Sequence, residues 1–164
     1  MQRWHDMVCC VIGHRDVYKT DDLKKYVELV FKNLIQNGTD EFLIGSRGAF
    51  NDMALSCLRN LKMIYPNKFR IVYVRAEYEY IDDDYKKYLL AKYDDTFMPD
   101  CVKNTKKAVY IKRNQYMIDN SDVCVLYCNI EKSGESGTLL SYIYAVKKNK
   151  TVINIYDSIK KSTR

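Results

Sequence analysis

Long hydrophobic runs are missing from this chain of 164 residues, and no stretch approaches the roughly 18 apolar residues that a membrane helix needs. The first apolar segment, Met7 to Ile12, is too short for a signal-peptide core and has no cleavage site behind it. No membrane partner is expected, and the expected compartment is the cytoplasm. Proline and glycine are scarce, at two and six residues, so no Pro/Gly/Ser-rich linker divides the chain. Nothing repeats either. A single domain over 1–164 is expected, because that length buries a full core but is too short for two. No CxxC pair and no His-x-x-x-His accompanies Cys9, Cys10, Cys57, Cys101, Cys124 and Cys128, so zinc has no ligand set. Cys9 and Cys10 sit in an apolar run and Cys57 on the inner side of a helical pattern. Cys124 and Cys128 fall on a strand pattern that puts both on one face with Leu126 between them. The cysteines read as small buried hydrophobes in a reducing compartment. No metal and no cofactor is expected.

What is present is ordinary for a globular protein: 47% hydrophobic and 29% charged residues. The formal charge of +6 is a moderate excess, much of it near the end of the chain at Lys147, Lys148, Lys150, Lys160, Lys161 and Arg164. Such an excess favours anionic ligands by long-range attraction but does not define a nucleic-acid binder.

Short apolar runs alternate with helical patterns. Met7 to Ile12 reads as a buried strand ending at Gly13-His14-Arg15. Thr20 is placed to cap a helix whose first turn carries Asp21 and Asp22. Leu23, Tyr26, Val27, Val30, Phe31 and Leu34 then form one apolar stripe, which Asn37-Gly38 ends. Glu41 to Ile44 is a second strand, broken by Gly45-Ser46-Arg47-Gly48. A helix follows from about Asn51, with Ala54, Leu55, Leu58 and Leu61 inward, ending before Pro66. Phe69 to Val74, Val123 to Tyr127 and Thr151 to Ile155 read as further strands, with a helix before Lys148 preceding the last. The expected fold is therefore α/β: a Rossmann-like three-layer domain with a mainly parallel sheet of about five strands. An irregular insertion is expected around 75–110, rich in tyrosine and acid. Segments of that length between strands are usually functional or locally folded. Its tyrosines are expected to pack against the sheet edge rather than to stack on a base.

In a parallel sheet the strand-to-helix loops emerge at one edge, where ligands bind. Glycine-bearing loops end three strands here, at Gly13-His14-Arg15, at Gly45 to Gly48, and at Ser133-Gly134-Glu135-Ser136-Gly137-Thr138. Glycine lets backbone approach a ligand, and a helix start offers N–H groups to an anion. The helical segment Ile111 to Asn120 feeds a strand, so it runs opposite to that strand. Its first turn, with Arg113 and Asn114, therefore lies at the ligand edge, while Met117 and Ile118 face the core. An arginine fork suits phosphate or carboxylate. His14 has two readings, a general acid/base at the site and a structural hydrogen bond within its turn. Ser46, Ser133 and Ser136 have no visible Ser–His–Asp partnership, so a serine nucleophile is not expected.

Arg113-Asn114-Gln115-Tyr116-Met117-Ile118-Asp119-Asn120-Ser121-Asp122, an apolar strand, and a glycine–threonine loop entering a helix together resemble the SLOG superfamily. That group includes the LOG phosphoribohydrolases and the Smf/DprA proteins. Gly13-His14-Arg15 and the spacing of Gly45 to Gly48 look most like its YpsA/YspA-like bacterial branch. The resemblance covers nearly the whole chain. It implies a Rossmann-like domain that binds nucleotides or nucleotide-derived signals, often as a homodimer. It places Gly45, Gly48, Arg113, Gly134, Gly137 and Thr138 around a phosphate, with Gly13, His14 and Arg15 on the other side. The LOG enzymes carry PGGxGTxxE. Here Ser133 stands at the Pro, Glu135 at the second Gly and Ser141 at the Glu. Serine cannot supply the carboxylate that stabilises a cationic sugar transition state. Glu135 and Asp52 are the carboxylates near the expected site. Three functions are thus expected in descending order: binding or sensing of a nucleotide-type small molecule, LOG-like N-glycosidic hydrolysis, and single-stranded DNA binding. No aromatic-interleaved basic stripe is visible, so nucleic acid is the partner expected least.

Overall fold

Strand β1 (Met7–Gly13) carries Cys9 and Val11 on one face and Cys10 and Ile12 on the other, all four buried. A strand covered on both faces reads as a continuous apolar run because neither side meets water. The computed structural model describes residues 7–45, 48–132, 134 and 136–162. After β1 come α1 (Asp21–Gln36), β2 (Thr39–Ile44), α2 (Ala49–Ile64), β3 (Arg70–Val74), α3 (Asp83–Leu90), β4 (Asp95–Phe97), α4 (Val109–Asp119), β5 (Val123–Tyr127), α5 (Gly137–Lys147), β6 (Thr151–Asn154) and α6 (Ile155–Ser162). Short 3-10 turns at Asp100–Val102 and Lys106–Ala108 lead into α4.

Helix α1 follows its sequence signals. The Thr20 side chain accepts from the Leu23 N–H at 3.1 Å, Asp21 and Asp22 occupy the first turn, and Leu23, Val27, Phe31 and Ile35 are buried along one stripe. All strand pairings are parallel, in the order β4-β3-β2-β1-β5-β6. Packed on one face are α1, α2 and the start of α6, around Phe31, Phe42, Phe50, Leu58 and Ile155. The other face holds Met117 and Ile118 of α4 and Ala145 of α5 against Cys10, Leu43, Val72, Cys124 and Leu126. The chain builds outward from β1 to β4, then returns to lay β5 on the other side of β1. The crevice outside the carboxyl ends of β1 and β5 is thus a topological switch point, where ligands of open α/β sheets bind.

The sheet has six strands rather than about five. The sixth, β4, lies inside the stretch expected to be irregular, and its three residues are too short to show period-two alternation. It is recognised by what it pairs with: Arg75 N–H donates to Phe97 O at 2.8 Å and Asp94 N–H to Ile71 O at 2.8 Å. Helix α3 is capped by Asp82, which accepts from the Tyr85 N–H at 2.7 Å. The last strand ends at Asn154, and Ile155 opens α6 instead of closing β6. Five cysteines are buried, but Cys101 is exposed. Cys128 lies beyond the end of β5, so it shares no strand face with Cys124; its N–H donates to Asn154 Oδ1 at 3.0 Å. The tyrosines of the insertion divide. Tyr93 stacks on Tyr73 of β3 at 5.0 Å between ring centroids, as expected for packing at the sheet edge, whereas Tyr78 and Tyr80 stay exposed.

Candidate functional site

At the switch point lies a cavity of about 470 Å³. It brings together Gly13, His14 and Arg15 after β1, Gly45 after β2, Arg113 and Asn114 on α4, and Ser136, Gly137 and Thr138 at the start of α5. Topology does this. A helix entering β5 must start at the carboxyl edge, and so must the helix leaving it.

Arg113 is the side chain around which the cavity is arranged. It is only 5% exposed. Its Nη1 donates to the Val74 carbonyl at 3.2 Å and its Nε to Asn114 Oδ1 at 2.9 Å. Gly45 lets it sit there: a Cβ at Gly45 would stand 2.7 Å from Arg113 Cζ, and the guanidinium would have to shift. The Tyr110 ring is near two arginines, its centroid 5.7 Å from Arg113 Cζ and 5.9 Å from Arg15 Cζ, both within cation–π range. Burial pushes the Arg113 guanidinium down to about 10; Tyr73 opposes this, the charge of Arg15 adds to it, and Glu77 opposes it. Arg113 therefore remains a cation at neutral pH, close to a second cation, and an anion between them would relieve their repulsion.

The start of α5 faces the same space. Ser136 caps it, its hydroxyl accepting from the Leu139 N–H at 3.1 Å. Ser141, which stands where the LOG pattern has Glu, is buried one turn further on. Its hydroxyl donates to the Gly137 carbonyl at 2.8 Å and accepts from Asn114 Nδ2 at 3.1 Å. A relay of Arg113, Asn114, Ser141 and the first turn of α5 thus fixes the arginine relative to the positive end of a helix. A glutamate at 141 would have to displace that relay. Lys107 adds a third cation to the lining, and no carboxylate among the described residues lines the cavity.

The turn after β1 has a structural side. The Asn129 N–H donates to His14 Nε2 at 3.0 Å, which leaves the ring proton on Nδ1, and burial lowers the pKa of His14. The His14 and Arg15 carbonyls accept from the Phe50 and Ala49 N–H groups at 3.4 and 2.7 Å. The first N–H groups of α2 are therefore taken up within the protein, and of the described loop residues Gly45 lines the cavity. Gly13 is pressed on Phe50: a Cβ there would come within 2.2 Å of the ring.

The remaining expected residues fall elsewhere. Gly48 lines a neighbouring cavity, and Asp52 lines a third, of about 750 Å³, between α2 and α3. Gly134 is exposed and outside the lining. Ser46, Arg47, Ser133 and Glu135 lie outside the described residues. Sequence reasoning missed Asn51, Lys107, Tyr110 and Ile111. Tyr110 was within reach: it precedes Arg113 by three positions, so both lie on one helix face once α4 is known to start at Val109. No group of three or more His, Cys, Asp and Glu that could hold a metal occurs among the described residues. No helix among them is long and apolar enough to cross a membrane.

Sheet order and cavity define a Rossmann-like α/β protein with a cationic site at its switch point. The chain belongs to the YspA SLOG family, whose model matches residues 10–159. No curated protein matches it. Among solved structures it is similar to DNA processing protein A from Helicobacter pylori, at 16% identity and a TM-score of 0.58, covering 96% of this chain and 73% of that one. That structure is described by its single-stranded DNA binding mode. The expectation that sets nucleic acid aside as a partner is corrected accordingly, because a protein of the same fold binds it.

Proposed function

We propose that the switch-point cavity binds the phosphate of a nucleotide or nucleotide derivative, and that the domain acts by recognition rather than by chemistry on the ligand. One observation carries this: Arg113, Arg15 and Lys107 converge with the start of α5 on a cavity whose described lining holds no carboxylate. A phosphate there gains charge-assisted hydrogen bonds from a fork already held in place, together with the helix's positive end. Hydrolysis of an N-glycosidic bond has less support. Ser141 is committed to Asn114 and Gly137, and Asp52 faces another cavity.

The test is calorimetric titration with nucleoside monophosphates, NAD, ADP-ribose and cyclic nucleotides, comparing wild type with Arg113→Ala. Micromolar binding of at least one ligand, weakened about tenfold or more in the variant, is expected from loss of a charged hydrogen bond. Equal binding by both proteins across the whole panel overturns the reading. The likeness to a DNA-binding protein favours a second form of it, in which the phosphate belongs to a single strand. In that case oligonucleotide affinity falls steeply with salt, because phosphate contacts release counterions.

A further inference from the structure

Beside the phosphate cavity lies another, of about 710 Å³, whose lining includes Tyr73, Tyr78, Tyr80, Tyr85 and Tyr110. The phosphate reading does not account for it. Tyr78 and Tyr80 are 65% and 88% exposed, so their rings are not occupied in holding the core together. Tyr78 sits at φ 60, a left-handed conformation that is uncommon for a bulky residue and that concentrates at ligand clamps. In that conformation its carbonyl accepts from Arg75 Nη1 at 2.7 Å, and its ring meets Tyr85 edge-on at 6.3 Å.

Arg75 stands beside these rings. It lines the cavity and is 8% exposed, makes no ion pair among the described residues, and its Nε is enclosed without a hydrogen-bond partner. A guanidinium carries five N–H donors, more than its hydrogen bond to Tyr78 uses, so donors are left for an acceptor in the cavity. The carboxylates in this wall are committed: Glu77 accepts from the Tyr110 hydroxyl, and Asp82 caps α3. Aromatic faces, a hydrogen-bonding cation and fixed acceptors together suit a planar heterocycle. Arg15 and Tyr110 line this cavity and the phosphate cavity alike, so the two are neighbours.

We propose that the tyrosine-walled cavity is the base subsite, holding a nucleobase whose attached phosphate lies against Arg113. The orientation rests on the phosphate reading; the existence of the subsite does not. The ligand class is then a base joined to a phosphate through one sugar, either free or as one residue of a single strand.

The experiment is titration of the whole chain with adenosine, ribose 5-phosphate and AMP, using wild type, Tyr80→Ala/Tyr85→Ala and Arg113→Met. Adenine is an adequate probe, since stacking on tyrosine tolerates every base. Wild type is expected to bind AMP about tenfold more tightly than ribose 5-phosphate, the margin given by one stacked base. The tyrosine variant loses that margin and keeps its ribose 5-phosphate affinity. Arg113→Met keeps its adenosine affinity. Equal wild-type affinity for AMP and ribose 5-phosphate overturns the proposal, as does a tyrosine variant that weakens both ligands alike. Tyrosine-dependent adenosine binding with no ribose 5-phosphate binding sustains the base subsite and removes the phosphate reading. TMP against oligothymidylate separates the two sources, and with either one the tyrosine variant must lose affinity.

Discussion

The two cavities at the carboxyl edge of the sheet share Arg15 and Tyr110 but hold their buried arginines in opposite ways. Arg113 is bonded to Val74 and Asn114, pressed against Gly45, and braced through Ser141 to a helix start. Arg75 has one hydrogen bond to a loop carbonyl and an enclosed Nε with no partner. The first cation is positioned by the sheet and its helices. The second stands where β3 meets the insertion and makes no ion pair among the described residues. On the proposed reading, a group of the first kind is preorganised, whereas one of the second gains most from a ligand.

Removing each charge exposes the contrast most strongly. Arg113→Met leaves Asn114 Oδ1 and the Val74 carbonyl without their donor, a loss of about 1–3 kcal/mol for enclosed groups. Arg75→Met removes a weakly compensated charge and is expected to change stability by less than about 1 kcal/mol, or to raise it. Urea denaturation midpoints check this pair, and equal losses erase the distinction. Gly45→Ala comes next. Its Cβ meets the guanidinium at 2.7 Å, and overpacking of this kind costs about 1–3 kcal/mol. Phosphate affinity should fall toward that of Arg113→Met, while adenosine affinity holds. Ser141→Ala is milder. It breaks the relay at one hydroxyl, for about 1 kcal/mol, and a few-fold loss of ribose 5-phosphate binding measures how far the relay positions the arginine.

The first cavity was largely legible in the sequence because topology alone assembles it. A helix feeding a parallel strand has its start at the ligand edge, which fixes Arg113 and Asn114 there without any knowledge of packing. The glycine loops after β1 and β5 follow by the same rule. Hydrogen bonding between loops was not legible: nothing in Gly45 to Gly48 says that His14 and Arg15 already occupy the start of α2. The second cavity was hidden for a different reason. Its walls come from residues 75–85 and Tyr110, brought together by a strand of three residues and a short helix, neither long enough to display a period. The tyrosines were visible as composition, but which of them pack on Tyr73 and which stay open depends on where β4 lies.

The smallest effect separates the cavities by pH. His14 accepts from the Asn129 N–H at 3.0 Å, and burial holds its pKa below the ordinary 6.5. A protonated ring cannot accept that bond. The folded protein therefore binds its proton at lower pH than the unfolded chain does, and the unfolded chain carries more protons between the two values. Stability from this contact is full above about pH 6.5 and is lost as pH falls through the folded value. Urea midpoints of wild type and His14→Gln at pH 7.5 and 5 should converge at the lower pH. Divergence on acidification reverses the sign and removes His14 as the neutral hinge of the β1 turn. No histidine among the described residues lines the tyrosine cavity, so adenosine affinity should stay level over the same range while the turn beside the switch-point cavity loosens.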